Sequence, residues 1–167
     1  MSPGGHLLTT VLAGGVGLAA TGSLPLTAGV VAGGFLIDVD HLVDYVLVER
    51  RRELTPAAFL RHYTDGHMRR VVLALHSYEV FLALAALAWW LGSAWLAGYL
   101  AGGAMHLGLD LGFNGRLTPR NIFAFYSLGF RWVHGFDAEA LFGSEPRVAS
   151  AGFWRSFLFG ARLRHPR

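Results

Sequence analysis

Cysteine is absent from the 167 residues, which excludes disulfides and thiolate metal ligands. Lysine is absent too, since all 14 basic residues are arginine. Charge of either sign is scarce. Only 15% of residues are charged, against about a quarter in an ordinary soluble domain, while 53% are hydrophobic. No repeat of a length that would indicate a solenoid is visible, and no low-complexity tract. The first residues, "MSPGGHLLTTVLAGG", lack a basic n-region and a clear cleavage site, so they are not read as a removed signal peptide. The length suits one domain.

What the sequence has instead is four apolar segments, at about Leu7–Thr21, Leu26–Val48, Val71–Leu91 and Ala94–Phe113. The last two are close to the ~20 residues that cross ~30 Å of hydrocarbon as helix. The connections "TGSLP" and "GSAW" are short, so segments one and two, and three and four, are expected to form antiparallel hairpins. Trp89, Trp90 and Trp95 flank the second connection, where an interfacial aromatic belt would place them. Neither connection carries a charged residue. Arg50, Arg51, Arg52, Arg61, Arg69 and Arg70 lie between segments two and three, and the other eight arginines lie in the tail. By the positive-inside rule that loop and both termini face the cytoplasm. The arginines are read as topology anchors and headgroup contacts, not as a nucleic-acid surface.

The expected fold is therefore an all-α integral membrane protein with four transmembrane helices in residues 1–117. An aromatic and arginine-rich region, residues 118–167, follows as helices in the membrane interface. A fifth span at Ile122–Phe136 would have to bury Arg131, so four spans are preferred.

Polar residues interrupt the apolar segments at particular places. Segment two ends in "GGFLIDVDHLVDY", in which Asp38, His41 and Asp44 recur by threes with Asp40 at the edge of that ridge. Helical spacing puts His76 and Glu79 on one face of segment three, and His106 and Asp110 on one face of segment four. Counting back from His106 by fours gives Gly102 and Gly98, a stripe along which another helix can approach closely. The hairpin topology brings all these groups, with His6 at the start of segment one, to one depth on the cytoplasmic side. None lies at the tryptophan end.

An Asp at the centre of a membrane helix costs roughly 2.5–3.5 kcal/mol. Imidazoles and carboxylates gathered around a divalent ion offset that cost. Nitrogen and oxygen donors without sulfur suit zinc, manganese or iron, as one or two ions. The metal-ligand candidates are His6, Asp38, Asp40, His41, His76, Glu79, His106 and Asp110; Asp38 and Asp40 are also the catalytic candidates. Asp44 alone reads as a solvated residue leaving the bilayer, Glu79 as an alternative partner of Arg70, and His62, Asp65 and His67 as solvated loop residues. His134 and His165 are not read as ligands.

The "DVDH" from Asp38 to His41, the "HS" at His76–Ser77 and the "HLGLD" from His106 to Asp110 resemble the LexA-regulated, membrane-bound predicted metal-dependent hydrolases of the inner membrane. The resemblance covers roughly residues 1–110, and His6 matches an early histidine of that family. In that family threonine tends to precede the His-Ser pair, where this chain has Leu75. The family is distantly similar to zinc-dependent phospholipase C. By this resemblance Asp38, Asp40 or His41, His76, His106 and Asp110 would be metal ligands.

The function expected is a membrane-bound hydrolase in which one or two ions acidify a bound water. Arg69 and Arg70 would hold the phosphate of a phosphoester, with a phospholipid as the first candidate substrate at the cytoplasmic membrane interface. The alternatives are a non-catalytic protein whose metal staples the helices together, or a metal or ion transporter. Oligomeric state is not legible. The topology has a direct check: single cysteines at Ser23 and Ser93 should react with impermeant thiol reagents only from outside the cell, and labelling of either from the cytoplasm would overturn the assignment.

Overall fold

The computed structural model describes residues 1–114, 121–143, 147–149 and 152–163. Their regular secondary structure is helical apart from one small antiparallel ribbon, β1 (Arg147–Ala149) with β2 (Ala161–Leu163), and an isolated bridge between Arg70 and Asp137. The expected boundary near residues 117–118 and His165 lie outside the described residues.

Local signals set the ends of the long helices. α1 (Pro3–Thr21) begins where the Ser2 hydroxyl accepts from the Gly5 amide and proline occupies the first turn. It ends at Gly22, whose φ of 64° only glycine adopts without strain. α2 (Leu24–Gly34) starts one residue later with Ser23 as its cap. The second hairpin repeats the pattern: α5 (Tyr78–Leu91) stops at Gly92, with φ 58°, and α6 (Ala94–Phe113) starts on Ser93. Between the hairpins lie α3 (Val39–Val43) and α4 (Pro56–Thr64). After them come the short helices α7 (Ile122–Phe125), α8 (Leu128–Val133), α9 (Ala138–Phe142) and α10 (Phe153–Phe159).

α2 and α6 pack along their glycines. A Cβ on Gly29 or Gly33 would stand 2.1 Å from the Trp95 carbonyl oxygen or 2.0 Å from that of Tyr99. Conversely, one on Gly98 or Gly102 would stand 2.0 Å from the Leu26 oxygen or 2.2 Å from that of Val30. The two backbones are thus in direct contact, and the stripe read from Gly98 and Gly102 has α2 as its partner.

Two segments expected as continuous helices are broken. The chain from Leu26 to Val48 bends by 49° after Gly34. It continues as a 3₁₀ turn (Leu36–Asp38), α3 and a π-helical turn (Asp44–Val48). The break follows the glycine contact with α6, and it leaves the Gly34 carbonyl to accept from His106 Nδ1 at 2.9 Å. The run from Val71 does not begin a helix either. Residues 71–77 are irregular except for a 3₁₀ turn at Ala74–His76, with Leu73 at φ 44°, and α5 begins only at Tyr78. That segment is trapped from both sides. Val71, Leu73, Leu107, Phe125, Tyr126, Ala138 and Leu141 form the apolar core under it, and the backbone pairs Val71 N with Phe136 O and Ala138 N with Arg69 O.

Among the described residues, α1 alone is long and apolar enough to cross a membrane, and α2 with its bent continuation makes a second candidate. α5 is apolar but shorter. No residue of α5 is buried, and Trp89 and Trp90 are 90% and 80% exposed.

The glycine contact gives a paired test. Gly102→Ala drives a methyl into the Val30 carbonyl and should lower stability by about 1–3 kcal/mol or more. Gly108→Ala, on the same helix with no atom within 4 Å of the new methyl, should be neutral or stabilising by up to about 1 kcal/mol. Thermal unfolding of the two purified variants against the parent measures the difference.

A candidate metal centre of histidine and aspartate

The irregular segment that carries His76 has few helical or sheet partners for its amides, and three carboxylates replace them. Glu49 Oε1 accepts from the amides of Arg69 (2.9 Å) and Arg70 (2.6 Å). Asp44 Oδ2 accepts from Val72 (2.7 Å) and Leu73 (3.0 Å). Asp40 Oδ2 accepts from Leu75 (3.0 Å). The acceptors run along α3 and the turn after it, against the direction of the segment they hold. The step from Asp40 to Asp44 is one α-helical turn. The longer step from Asp44 to Glu49 is accommodated by the π-helical turn, whose bond joins Glu49 N to Asp44 O at 2.8 Å.

Arg131 holds the acceptor side of the same segment. Its Nη1 donates to the carbonyls of His76 (3.2 Å) and Phe125 (2.6 Å), and its Nη2 donates to that of Leu73 (3.0 Å).

The centre lies at one end of both hairpins: His6 in the first turns of α1, Asp38 and His41 beyond α2, His76 ahead of α5, His106 and Asp110 late in α6. His76 Nδ1 is 3.0 and 3.1 Å from the two oxygens of Asp40, and His106 Nδ1 is fixed on the Gly34 carbonyl. Both rings therefore turn Nε2 toward the cluster, and these two nitrogens are 3.2 Å apart. Asp38 Oδ1 is 3.4 Å from Nε2 of His76, 3.5 Å from that of His106 and 3.6 Å from that of His41.

On the far side of His106, Asp110 Oδ2 is 3.5 Å from its Nε2. Asp110 Oδ1 is 2.9 Å from His6 Nε2 and accepts from the Asn114 amide and the Met1 amino group. The His6 ring stacks on His106 at 3.7 Å. Three overlapping groups result: His6–His106–Asp110, Asp38–His76–His106, and Asp40–His41–His76. Their donor atoms are close enough to hold a metal ion.

His6, Asp38, Asp40, His41, His76, His106 and Asp110 are thus brought together. Asp40 is buried, and its oxygens engage His76 Nδ1 and the Leu75 amide. It stands behind His76 in the position of an orienting carboxylate. Glu79 is not in the cluster. Because α5 begins at Tyr78, His76 and Glu79 do not share a helical face. Glu79 instead accepts from Ser127 Oγ (2.6 Å) and from the amides of Leu128 (2.8 Å) and Gly129 (3.1 Å) at the start of α8. Arg69 and Arg70 have exposed side chains, and among the described residues no hydrogen bond or ion pair joins those side chains to the cluster.

Two loop readings also change. Asp44 is buried, not solvated, because it serves two amides. His62 is buried beside Glu49, with Nε2 4.0 Å from Oε2, and burial followed by the nearby Arg51 charge lowers its pKa.

Several residues of the centre went unread in the sequence. Tyr126 donates to Asp110 Oδ2 at 3.3 Å, and Tyr63 donates to the His41 carbonyl at 2.5 Å. For Arg131 the signal was present, as a lone charge inside the apolar run from Ile122.

Comparison with protein-family models, with curated proteins and with solved structures finds no match for the chain.

Variants separate the donors from their supports. His106→Ala and Asp110→Ala should abolish metal retention measured by elemental analysis of purified protein. Asp40→Asn should weaken affinity by roughly 10–100-fold, as loss of an orienting partner does. Glu79→Gln should leave metal content unchanged. Metal lost from the Glu79 variant, or retained by both α6 variants, would contradict this arrangement.

Proposed function

We propose that the chain is a membrane-bound, metal-dependent hydrolase acting on a phosphoester at the cytoplasmic face of the inner membrane, as its resemblance to the LexA-regulated hydrolases suggests. Three donor atoms give this the most direct support. Nε2 of His76, Nε2 of His106 and Oδ1 of Asp38 form a triangle with edges of 3.2, 3.4 and 3.5 Å. Ligand atoms about 2.0–2.1 Å from a four-coordinate ion lie about 3.3 Å from one another. The donor set of imidazole and carboxylate suits zinc, with manganese or iron as alternatives. The flanking groups, Asp110 with His6 on one side and His41 on the other, allow one or two ions.

The exposure of Asp38 favours a catalytic over a purely structural role. The side chains of His76 and His106 are 2% and 0% exposed, whereas that of Asp38 is 31% exposed. The triangle therefore opens to its surroundings at the carboxylate corner, as a catalytic centre must and a structural one need not. A divalent ion held there supplies Lewis acidity and a water acidified toward neutral pH. Asp38 then stands where a substrate enters and orients a water against the phosphorus. Asp40 keeps His76 in one tautomer, and the Gly34 carbonyl does the same for His106. Tyr126 and Asn114 hold Asp110. Arg69 and Arg70, exposed on the loop before His76, are available to a phosphate, whose oxygens match the paired donors of a guanidinium.

The membrane assignment with four spans (α1, α2 with its continuation, α5 and α6) draws support from exposure. A core helix of a soluble protein is mostly buried, while only 17% of the apolar window of α1 is, and α5 has no buried residue and exposes Leu82, Leu87, Trp89, Trp90 and Leu91. Lipid satisfies such surfaces. The arginines of the Arg50–Arg70 loop support a position of the centre at the cytoplasmic headgroups.

The decisive experiment is hydrolysis of phosphoesters, lipid and soluble, by metal-replete protein in detergent or vesicles. Asp38→Asn should abolish turnover with the fold intact. Arg69→Lys and Arg70→Lys should raise KM although the charge remains. Turnover that survives Asp38→Asn or complete chelation would place the activity elsewhere, and metal-replete protein inert to every phosphoester would leave the metal a structural role.

A further inference from the structure

Arg131 is fully buried, yet among the described residues no carboxylate lies within ion-pair distance of it. Its direct partners are the carbonyls of Leu73, His76 and Phe125, and the Phe125 ring, whose centroid is 5.3 Å from the guanidinium carbon. Burial lowers its pKa, and the more distant charges of Asp40, Glu79 and Asp44 act against that shift. A buried cation is costly to stability, and an apolar side chain of similar volume often serves packing at least as well. Packing alone therefore does not account for an arginine here.

Its bonds have a common target. Leu73 precedes the 3₁₀ turn and His76 ends it, and the forked guanidinium spans both carbonyls. The same side chain ties Phe125 and α8 to that turn. The residues after 121 also meet the start of α5, just beyond that turn: Tyr126 O accepts from Tyr78 N, and Glu79 accepts from the Leu128 amide at the start of α8.

We infer that Arg131 is a positioning residue of the metal centre, fixing residues 73–76 so that His76 meets Asp38 and His106. This rests on the metal-centre reading above and adds a residue remote from the donor atoms.

The test is zinc affinity of the full-length protein in detergent, read by competition with a chromogenic chelator. Arg131→Ala should weaken zinc binding roughly 10–100-fold, the range for loss of a support behind a ligand, with helical circular dichroism retained. Millimolar guanidinium should restore much of the loss, and sodium chloride at equal concentration should not. Leu141→Ala, which removes a buried side chain of the same C-terminal core, should lower the melting temperature and leave zinc affinity unchanged. That control separates positioning from general destabilisation.

Should the alanine variant fail to fold, Arg131→Lys decides, because it keeps the charge and loses the fork. Wild-type zinc affinity in whichever Arg131 variant folds overturns the inference, and so does an equal loss in Leu141→Ala. A parent protein that binds none of zinc, manganese and iron overturns both this inference and the metal-centre reading. A parent that binds zinc together with an Arg131 variant that binds it equally overturns this inference alone.

Discussion

Amide groups taken out of regular secondary structure and away from water must find acceptors, and lipid offers none. Residues 69–76 meet that requirement with acidic side chains. Glu49, Asp44 and Asp40 supply acceptors for five backbone amides, and Arg131 supplies donors for two carbonyls of the same stretch. Because this satisfaction comes from elsewhere in the chain, the segment can leave helix geometry. It sets His76 where a helix starting at Val71 would not put it. The break after Gly34 does the corresponding work opposite, giving His106 a carbonyl to lean on and turning Asp38 toward both rings.

Charge explains why these pieces occur together. Four aspartates gathered at the ends of apolar helices repel one another and are poorly solvated. Each has specific compensation: amides for Asp44, an imidazole and an amide for Asp40, His6, Asn114 and Tyr126 for Asp110. Asp38 has imidazole nitrogens at 3.4–3.6 Å, beyond ordinary hydrogen-bond length. Its nearest contacts are thus longer than those of the other three.

Much of the centre was legible in the sequence because hydropathy and hairpin topology are robust signals. Polar residues in apolar segments stand out, and two short connections suffice to bring Asp38, His76, His106 and Asp110 to the same end. What hydropathy does not encode is whether an apolar run is helical. "VVLALHSYEV" reads as helix because its residues suit one, and long-range partners hold it out of one: acceptors at Asp40, Asp44 and Glu49, the Phe136 carbonyl and the Arg131 guanidinium. The grouping of Glu79 with His76 failed with that helix. Asp40 and Asp44 were visible as polar residues, but their task of serving amides some thirty positions away carries no local mark. Arg131 drew notice as an obstacle to a span, and its true setting depends on a turn that the sequence alone hid.

The π-helical turn at Asp44–Val48 bears on how this protein can vary. In a regular α-helix the residue five positions on points about 140° away, so Glu49 serves the same segment as Asp44 only because the turn there is widened. The partner amides come at Arg69 and Arg70, then at Val72 and Leu73, then at Leu75, a cadence that meets the three carboxylates in reverse order. Apolar side chains between these points are free to drift so long as they stay apolar, whereas His41 and Tyr45 have contacts of their own. Length is not. A single inserted or deleted codon on either side would shift carboxylates off their amides, so relatives of this chain should differ here by substitution and keep the count of residues from Asp40 to Glu49, and from Arg69 to His76, unchanged.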